Sequence, residues 1–364
     1  MKVFLAATSL RTDYGGPAYS VSRLGVELAK RGIGVGLWTP DGSSLTSPLL
    51  NDSPVTRLSG SLREALKAFG RADLIHDNGL WLPHNHLVAV VAGELSTPRV
   101  VSVRGMLEPW ALRHKGLKKK AAWTLYQRRD LSRATFHHAA AEPEASGIER
   151  FALGVPVRVI PNGIDIPDRS AIKATCPSST GSVRTALFLG RLYPVKGLPM
   201  LIEAWARVRP GGWRLRIAGP DEAGHKRELV AAVEREGLGD IVTFTGRVEG
   251  EEKARQLRAA DVLILPSLSE SFGVVVAEAL AYGIPVLTTT ATPWKDLPAQ
   301  GCGWSVEPNA RAIESCLRKV TSLDKPALSR MGAAGREFAT SRFSWERIAR
   351  EFVELYSDAV ARKG

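Results

Sequence analysis

The chain is short of the residues that build covalent or metal-bound frameworks. Its three cysteines, Cys176, Cys302 and Cys316, are odd in number and show no CxxC spacing. That excludes a disulfide-stapled scaffold and a zinc ribbon, and it suits a reducing compartment. His84 and His86 have no third ligand beside them, so they read as loop residues and no metal site is expected. An apolar run of about eighteen residues or more is missing too, and the opening MKVFLAATSLRTDYGG turns polar too soon for a secretory leader. A soluble cytoplasmic protein is the expectation. No GxGxxG followed by an acidic residue occurs, which counts against a nicotinamide-dependent dehydrogenase.

What is present is the material of two ordinary domains. The 364 residues, 44% hydrophobic and 24% charged, exceed one usual domain and can bury two cores. The net charge of +12 is unevenly spread. Residues 111–133 hold eight Lys or Arg (113, 115, 118, 119, 120, 128, 129 and 133) against one acid, Asp130. Trp110, Trp123 and Tyr126 are interleaved with them. A helix of this composition suits an anionic membrane surface, with Lys118, Lys119, Lys120, Arg128 and Arg129 on headgroups and Trp123 at the interface. A plain solvated face is the other reading. Nucleic acid is disfavoured, because no binding module accompanies the charge.

In the first half, residues 2–7 read as a strand, Gly15 and Gly16 as a turn, 17–31 as a helix and 34–39 as a second strand. This βαβ unit has a glycine loop able to approach a phosphate. A strand ending near Ile75 leads into HDNGLW (76–81), and one over 99–103 leads into Arg104. Polar residues beyond a strand's carboxyl end face the crevice of such a fold. Arg104 is too basic to accept a proton, but its fork suits a phosphate or carboxylate of an acceptor.

In the second half, apolar strands near 186, 214, 242, 262 and 286 alternate with helical segments, which predicts a parallel α/β sheet. The strand 186–190 runs into Arg191 and Lys196 just before a helix, a clamp for a pyrophosphate. The strand 262–265 runs into a loop with Glu270 and a helix with Glu278. Both carboxylates can reach the space above the strand's carboxyl end, where acceptor-only groups suit a vicinal diol. Taken alone, they also read as a loop Glu and a solvated helix Glu.

These stretches together resemble the retaining glycosyltransferases of the GT-B fold in the family called group 1 or GT4. Glu270, seven residues and Glu278 match its EX7E motif; GRLYPVKG (190–197) matches GRLxxxKG; VIPNGID (159–165) and HDNGLW are typical of it. The resemblance runs from Gly15-Gly16 to Phe343-Ser344-Trp345. It implies two Rossmann-like α/β/α domains facing each other across a cleft. Residues 1–168 would form the acceptor-side domain, 169–183 a linker, 184–342 the nucleotide-sugar domain, and 343–364 a helix packing back on the first domain.

The resemblance further implies transfer of a sugar, with retention, from a nucleoside diphospho-sugar to an acceptor hydroxyl, without a cofactor or metal. Arg191 and Lys196 would hold the diphosphate, Glu270 the donor sugar, Glu278 the ribose, and Ser271, Phe272 and Gly273 would line the same loop. Arg247 and Val248 would meet the base, Gly15 and Gly16 the phosphate. Many relatives carry a His where Arg104 stands, which leaves His76 as the catalytic candidate of the first domain. A glycan or lipid-linked glycan, met peripherally at the inner face of the plasma membrane, is the implied acceptor. A nucleotide-sugar epimerase of the same fold and a non-catalytic nucleotide-sugar scaffold are the rival readings.

Overall fold

In a computed structural model of the chain, residues 1–11, 14–113, 115–173 and 183–362 are described. Cys176 and residues 174–182 of the expected linker lie outside them. The chain divides into two compact units, Met1–Gly163 with Trp345–Gly364, and Ile164–Ser344.

Unit 1 is built on seven strands, β1 (Lys2–Ala7), β2 (Gly34–Trp38), β3 (Thr56–Leu58), β4 (Leu74–Asn78), β5 (Arg99–Ser102), β6 (Phe136–Ala139) and β7 (Val157–Val159). They pair in the order β3-β2-β1-β4-β5-β6-β7, every pair parallel. Unit 2 has six, β8 (Arg184–Leu189), β9 (Trp213–Ala218), β10 (Val242–Gly246), β11 (Val262–Leu265), β12 (Val286–Thr289) and β13 (Gly303–Val306). Their order is β10-β9-β8-β11-β12-β13, again all parallel. Each sheet therefore reverses its winding once, at β1/β4 and at β8/β11. The crevice outside the carboxyl ends at such a point is where α/β sheets of this kind bind ligands.

Period-two alternation explains how the strands are buried. Val3, Leu5 and Ala7 of β1 enter one core with the helix Gly16–Lys30, while Phe4 and Ala6 enter another with Trp38, Leu62, Phe69 and Val91. Covered on both faces, such strands are continuous apolar runs rather than alternating ones.

The helix Trp345–Ala361 returns to unit 1. Trp345, Ile348, Phe352, Leu355, Tyr356 and Ala359 share one face and are 0–5% exposed in its core, on the order of 2 kcal/mol for each large side chain. Gly163 makes room for it: a Cβ there would stand 2.3 Å from the Trp345 ring. An Asn-Gly pair commonly supplies a left-handed residue to a tight turn, yet neither Asn162 nor Gly163 has positive φ. A close approach, not a turn, requires this glycine.

Polar groups pin the same helix. Tyr356 Oη lies 2.7 Å from His76 Nδ1, His76 Nε2 2.7 Å from Ser102 Oγ, Ser102 Oγ 2.6 Å from His138 Nδ1, and His138 Nε2 2.8 Å from the Ile160 carbonyl. With both imidazoles neutral, only one direction satisfies every atom. Since Ile160 can only accept, His138 donates from Nε2, Ser102 donates to His138, His76 donates to Ser102, and Tyr356 donates to His76. Burial first, then neighbouring positive charge, holds His76 well below its ordinary pKa and His138 down to about 3.

An unfolded histidine titrates near 6.5, so the folded chain binds fewer protons than the unfolded one between about pH 6.5 and 3. The stability these rings contribute is complete above pH 6.5 and is lost as pH falls, by up to about 1.4 kcal/mol per pH unit for each ring. Nitrogen NMR of the two rings should show neutral single tautomers from pH 8 to 5. Tyr356→Phe, which leaves His76 Nδ1 without a donor, should cost about 1–3 kcal/mol in urea unfolding at neutral pH. Protonation of either ring near pH 6.5 would contradict the relay.

Candidate functional site

In unit 2 the loop after β11 is locked to the loop after β8 and to β12. Leu268 N–H donates to the Val195 carbonyl at 2.8 Å, and Thr289 Oγ1 donates to the Ser267 carbonyl at 2.5 Å. Gly197, with φ of +68°, passes so near the Pro266 carbonyl that a Cβ would stand 2.1 Å from its oxygen. Behind the loop, Phe272 is 4% exposed and packs on Trp294 and Phe343, whose ring centroids are 5.2 and 5.6 Å away. Trp294 Nε1 donates to the Phe272 carbonyl at 2.5 Å. The Phe272 side chain is therefore an anchor. What it offers the site is backbone.

This locking brings Lys196 to Glu270. The ammonium lies 2.5 Å from Glu270 Oε1, which also accepts from Ser267 Oγ at 2.7 Å, and the two side chains are 15% and 10% exposed. Glu278, about one turn along the helix Val274–Ala281, is 15% exposed and accepts from Lys253 Nζ at 2.6 Å, again through Oε1. Among the described residues none donates to Oε2 of either carboxylate. Each acid is tied on one oxygen and open on the other. Gly273 caps the helix with φ of +78°, and Ser271 is half-buried beside it.

Arg191 is exposed and pairs with Glu222 at 2.6 Å. An exposed pair of this kind is worth about 1 kcal/mol or less, so a stronger anion can displace it. Arg247 is exposed as well and donates twice to Glu249, at 2.8 and 2.5 Å, with Val248 half-buried next to it. Lys253 is the site residue that sequence reasoning missed. Its helix, GEEKARQLR, carries the alternating charge of a solvated face, and only the fold shows which carboxylate it meets.

In unit 1, Gly15 and Gly16 open the helix Gly16–Lys30, Gly15 at φ of +82° with no atom of the described residues within 4 Å of where a Cβ would stand. His76 does not fit the catalytic role expected of it. It lies inside β4 and is fully buried, with both ring nitrogens engaged by Tyr356 and Ser102. No nitrogen is left for a substrate. His84 meets Thr8 Oγ1 at 3.2 Å and His86 meets Asp130 at 2.6 Å, and no three His, Cys, Asp or Glu group as metal ligands among the described residues.

Arg104 is left-handed, with φ of +57°. Its guanidinium donates to Asn78 Oδ1 at 2.7 Å, Ser20 Oγ at 3.0 Å and Asn162 Oδ1 at 3.2 Å. All three acceptors are neutral, and burial outweighs the pull of Glu144 to hold its pKa below the ordinary arginine value.

The basic segment folds as the helices Pro109–Arg113 and Gly116–Ala122, a π turn Trp123–Gln127 and the helix Arg128–Ser132. Two of the expected lipid contacts point inward. Trp123 packs on Phe151 and Trp81, at ring-centroid distances of 4.8 and 6.2 Å, and Lys119 Nζ donates to the Ala111 carbonyl at 2.5 Å. Aromatic rings find partners where a core is close, and these had one. In their place Leu117 and Leu125 stand out, 85% and 75% exposed, among exposed Lys118, Lys120, Arg128 and Arg129.

Gly197→Ala should cost at least about 2 kcal/mol and slacken the Lys196–Glu270 geometry, because a left-handed backbone and a clash with backbone combine there. Circular dichroism melting checks the first effect. Wild-type stability in that variant would contradict the locked loops.

With this geometry in hand, the likeness to known proteins is specific. A family model for the glycosyl transferase 4-like domain matches residues 15–163, and one for glycosyl transferases group 1 matches residues 178–338. A D-inositol 3-phosphate glycosyltransferase of Nocardioides sp. is 28% identical, over 96% of this chain and 86% of its own length. One from Segniliparus rotundus is 33% identical over 61% and 52%. Among solved structures, a sucrose-phosphate synthase from Thermosynechococcus elongatus superposes with a TM-score of 0.79 at 23% identity, covering 99% of both chains. HepE of Anabaena in complex with UDP-glucose superposes with a TM-score of 0.77 at 20% identity, covering 98% and 100%. These superpositions show a common fold.

Proposed function

The chain belongs to the group 1 glycosyltransferases of the GT-B fold, matched over both of its halves, and from that premise we propose that it transfers a sugar from a nucleoside diphospho-sugar with retention of anomeric configuration. The observation that carries this reading is the Lys196–Glu270 pair at the carboxyl edge of β8 and β11, with Glu278 in the helix that follows. Lys196 meets the diphosphate, and Arg191, released from Glu222, adds a second positive charge. Glu270 takes the hydroxyls of the donor sugar and Glu278 those of the ribose. Arg247 and Val248 flank the base. That UDP-glucose occupies HepE favours a uridine nucleotide here.

The step needs no group to become oxidised or reduced. The bond from C1 of the sugar to the leaving phosphate oxygen breaks, the acceptor oxygen bonds to C1 on the same face, and its proton passes to the departing diphosphate. Negative charge grows on the diphosphate as the bond breaks, so a fixed ammonium beside it lowers the barrier. The same fixed charge does a divalent cation's work, and turnover is expected to survive EDTA.

Lys196→Ala and Glu270→Ala should each lower kcat by about a hundred- to a thousandfold while circular dichroism shows a folded chain. A thermal-shift panel of UDP, GDP, ADP, dTDP and NAD should show stabilisation by one nucleoside diphosphate, since a ligand of the folded state stabilises in proportion to its affinity. Near-normal turnover in both variants, or a shift with NAD alone, would overturn the assignment. An inverted anomeric centre in the product, read from its proton couplings, would overturn retention.

For the acceptor, we place a glycan on a lipid carrier, in the assembly of a surface polysaccharide or lipid-linked glycan. The support is charge complementarity. Leu117 and Leu125 are exposed among four basic side chains, which suits insertion into an anionic leaflet. No helix among the described residues is long and apolar enough to cross a membrane, so attachment would be peripheral. Vesicles rich in phosphatidylglycerol should sediment the protein and phosphatidylcholine vesicles should not. Reversing Lys118, Lys120 and Arg128 together should weaken this by about a hundredfold or more, and Leu117→Ser with Leu125→Ser should weaken it with the charges intact. Unchanged sedimentation in both variants would remove the membrane from this reading.

A further inference from the structure

Lys253 sits in the helix Gly250–Arg258, where acids are near at hand, yet its ammonium goes elsewhere. Glu251 is taken by Arg258, and Glu252 by Arg255 and Gln256. Lys253 instead reaches Glu278, 25 residues along the chain, at 2.6 Å, with the two side chains 30% and 15% exposed. A glutamate on a helix turns about three side-chain bonds, and each hydrogen bond it makes must overcome that freedom. Tying Oε1 fixes the plane of the carboxylate and aims Oε2. Oε1 keeps a second lone pair, so both oxygens can still accept from adjacent hydroxyls.

We infer that Lys253 is a positioning residue that gives the site its preference for a ribose over a 2′-deoxyribose, by holding the Glu278 carboxylate in the orientation that accepts from both ribose hydroxyls. This rests on the reading of Glu278 as the ribose contact. The ammonium acts through the carboxylate and does not itself recognise the nucleotide. Removing it leaves Glu278 in place but free to turn, and a carboxylate that turns no longer distinguishes two hydroxyls from one. Lys253→Arg keeps a donor within reach and should keep the preference.

The measurement is a ratio of affinities, by calorimetry on the full chain, for UDP against 2′-deoxy-UDP, with GDP, ADP and their 2′-deoxy forms run in parallel. A ratio taken within one variant is unaffected by a modest loss of fold stability. Wild type should favour the ribonucleotide by about tenfold, one hydrogen bond to a charged group, and Glu278→Gln should lose most of that. Lys253→Met should lower the preference to about threefold or less, and Lys253→Arg should restore it. If wild type and Glu278→Gln show the same ratio, the ribose reading of Glu278 fails and the inference with it. If Glu278→Gln loses the preference while Lys253→Met keeps it, Glu278 stands and Lys253 does not position it. Equal weakening of UDP and 2′-deoxy-UDP in Lys253→Met, with the ratio intact, would make Lys253 a plain phosphate cation and would equally overturn the inference.

Discussion

A strand covered on both faces by helices offers mostly apolar side chains, and its buried polar ones must be partnered within the core, so the chemistry of a doubly wound sheet gathers beyond the carboxyl ends of its strands. That constraint orders this molecule. β11 is four buried apolar residues, VLIL, and its contribution to the site begins only after Pro266. β8 likewise delivers Lys196 from the loop beyond its end. Two loops leaving adjacent strands of one sheet are close by construction. Here backbone hydrogen bonds and the absence of a side chain at Gly197 convert closeness into a defined distance between an ammonium and a carboxylate.

The charges gathered there are matched to one another. Two acids and two lysines form two largely buried pairs, and a largely buried charge without its partner is far costlier than an exposed one. Exposed Arg191 and Arg247 hold their acids more loosely. The site thus combines a largely buried inner set with an exposed outer set that can be redirected at little cost. Unit 1 offers a contrast in Arg104, whose guanidinium rests on neutral oxygens alone.

Much of this was legible in the sequence because the physics is local. Runs of Val, Ile and Leu at strand length, each followed by Gly, Pro or a charged loop, located nine of the strands, and the EX7E and GRLxxxKG spacings located the inner site. What escaped was polar or brief. β6 reads FHHA, its two histidines buried by contacts far along the chain; β13 reads GWSV; β3 has three residues. His76 was misread for the same reason. Its strand was taken to end at Ile75, whereas β4 continues to Asn78 with every residue buried, and the partner that accounts for the ring, Tyr356, lies 280 residues away. Lys253 and the inward turn of Trp123 were equally beyond reach. In each case a charged or aromatic side chain had a local reading that was reasonable and a distant partner that decided the matter.

Unit 1 is discontinuous, its last helix following the whole of unit 2 in the chain. During synthesis, residues 1–163 therefore leave the ribosome without the surface that packs on β4, β5 and the helix Gly16–Lys30 and without the hydroxyl that completes the His76–Ser102–His138 chain. Unit 2 is contiguous and can close as soon as residue 344 has emerged. The half made first is the half finished last, and until the helix Trp345–Ala361 docks it exposes an apolar face that invites chaperones or aggregation.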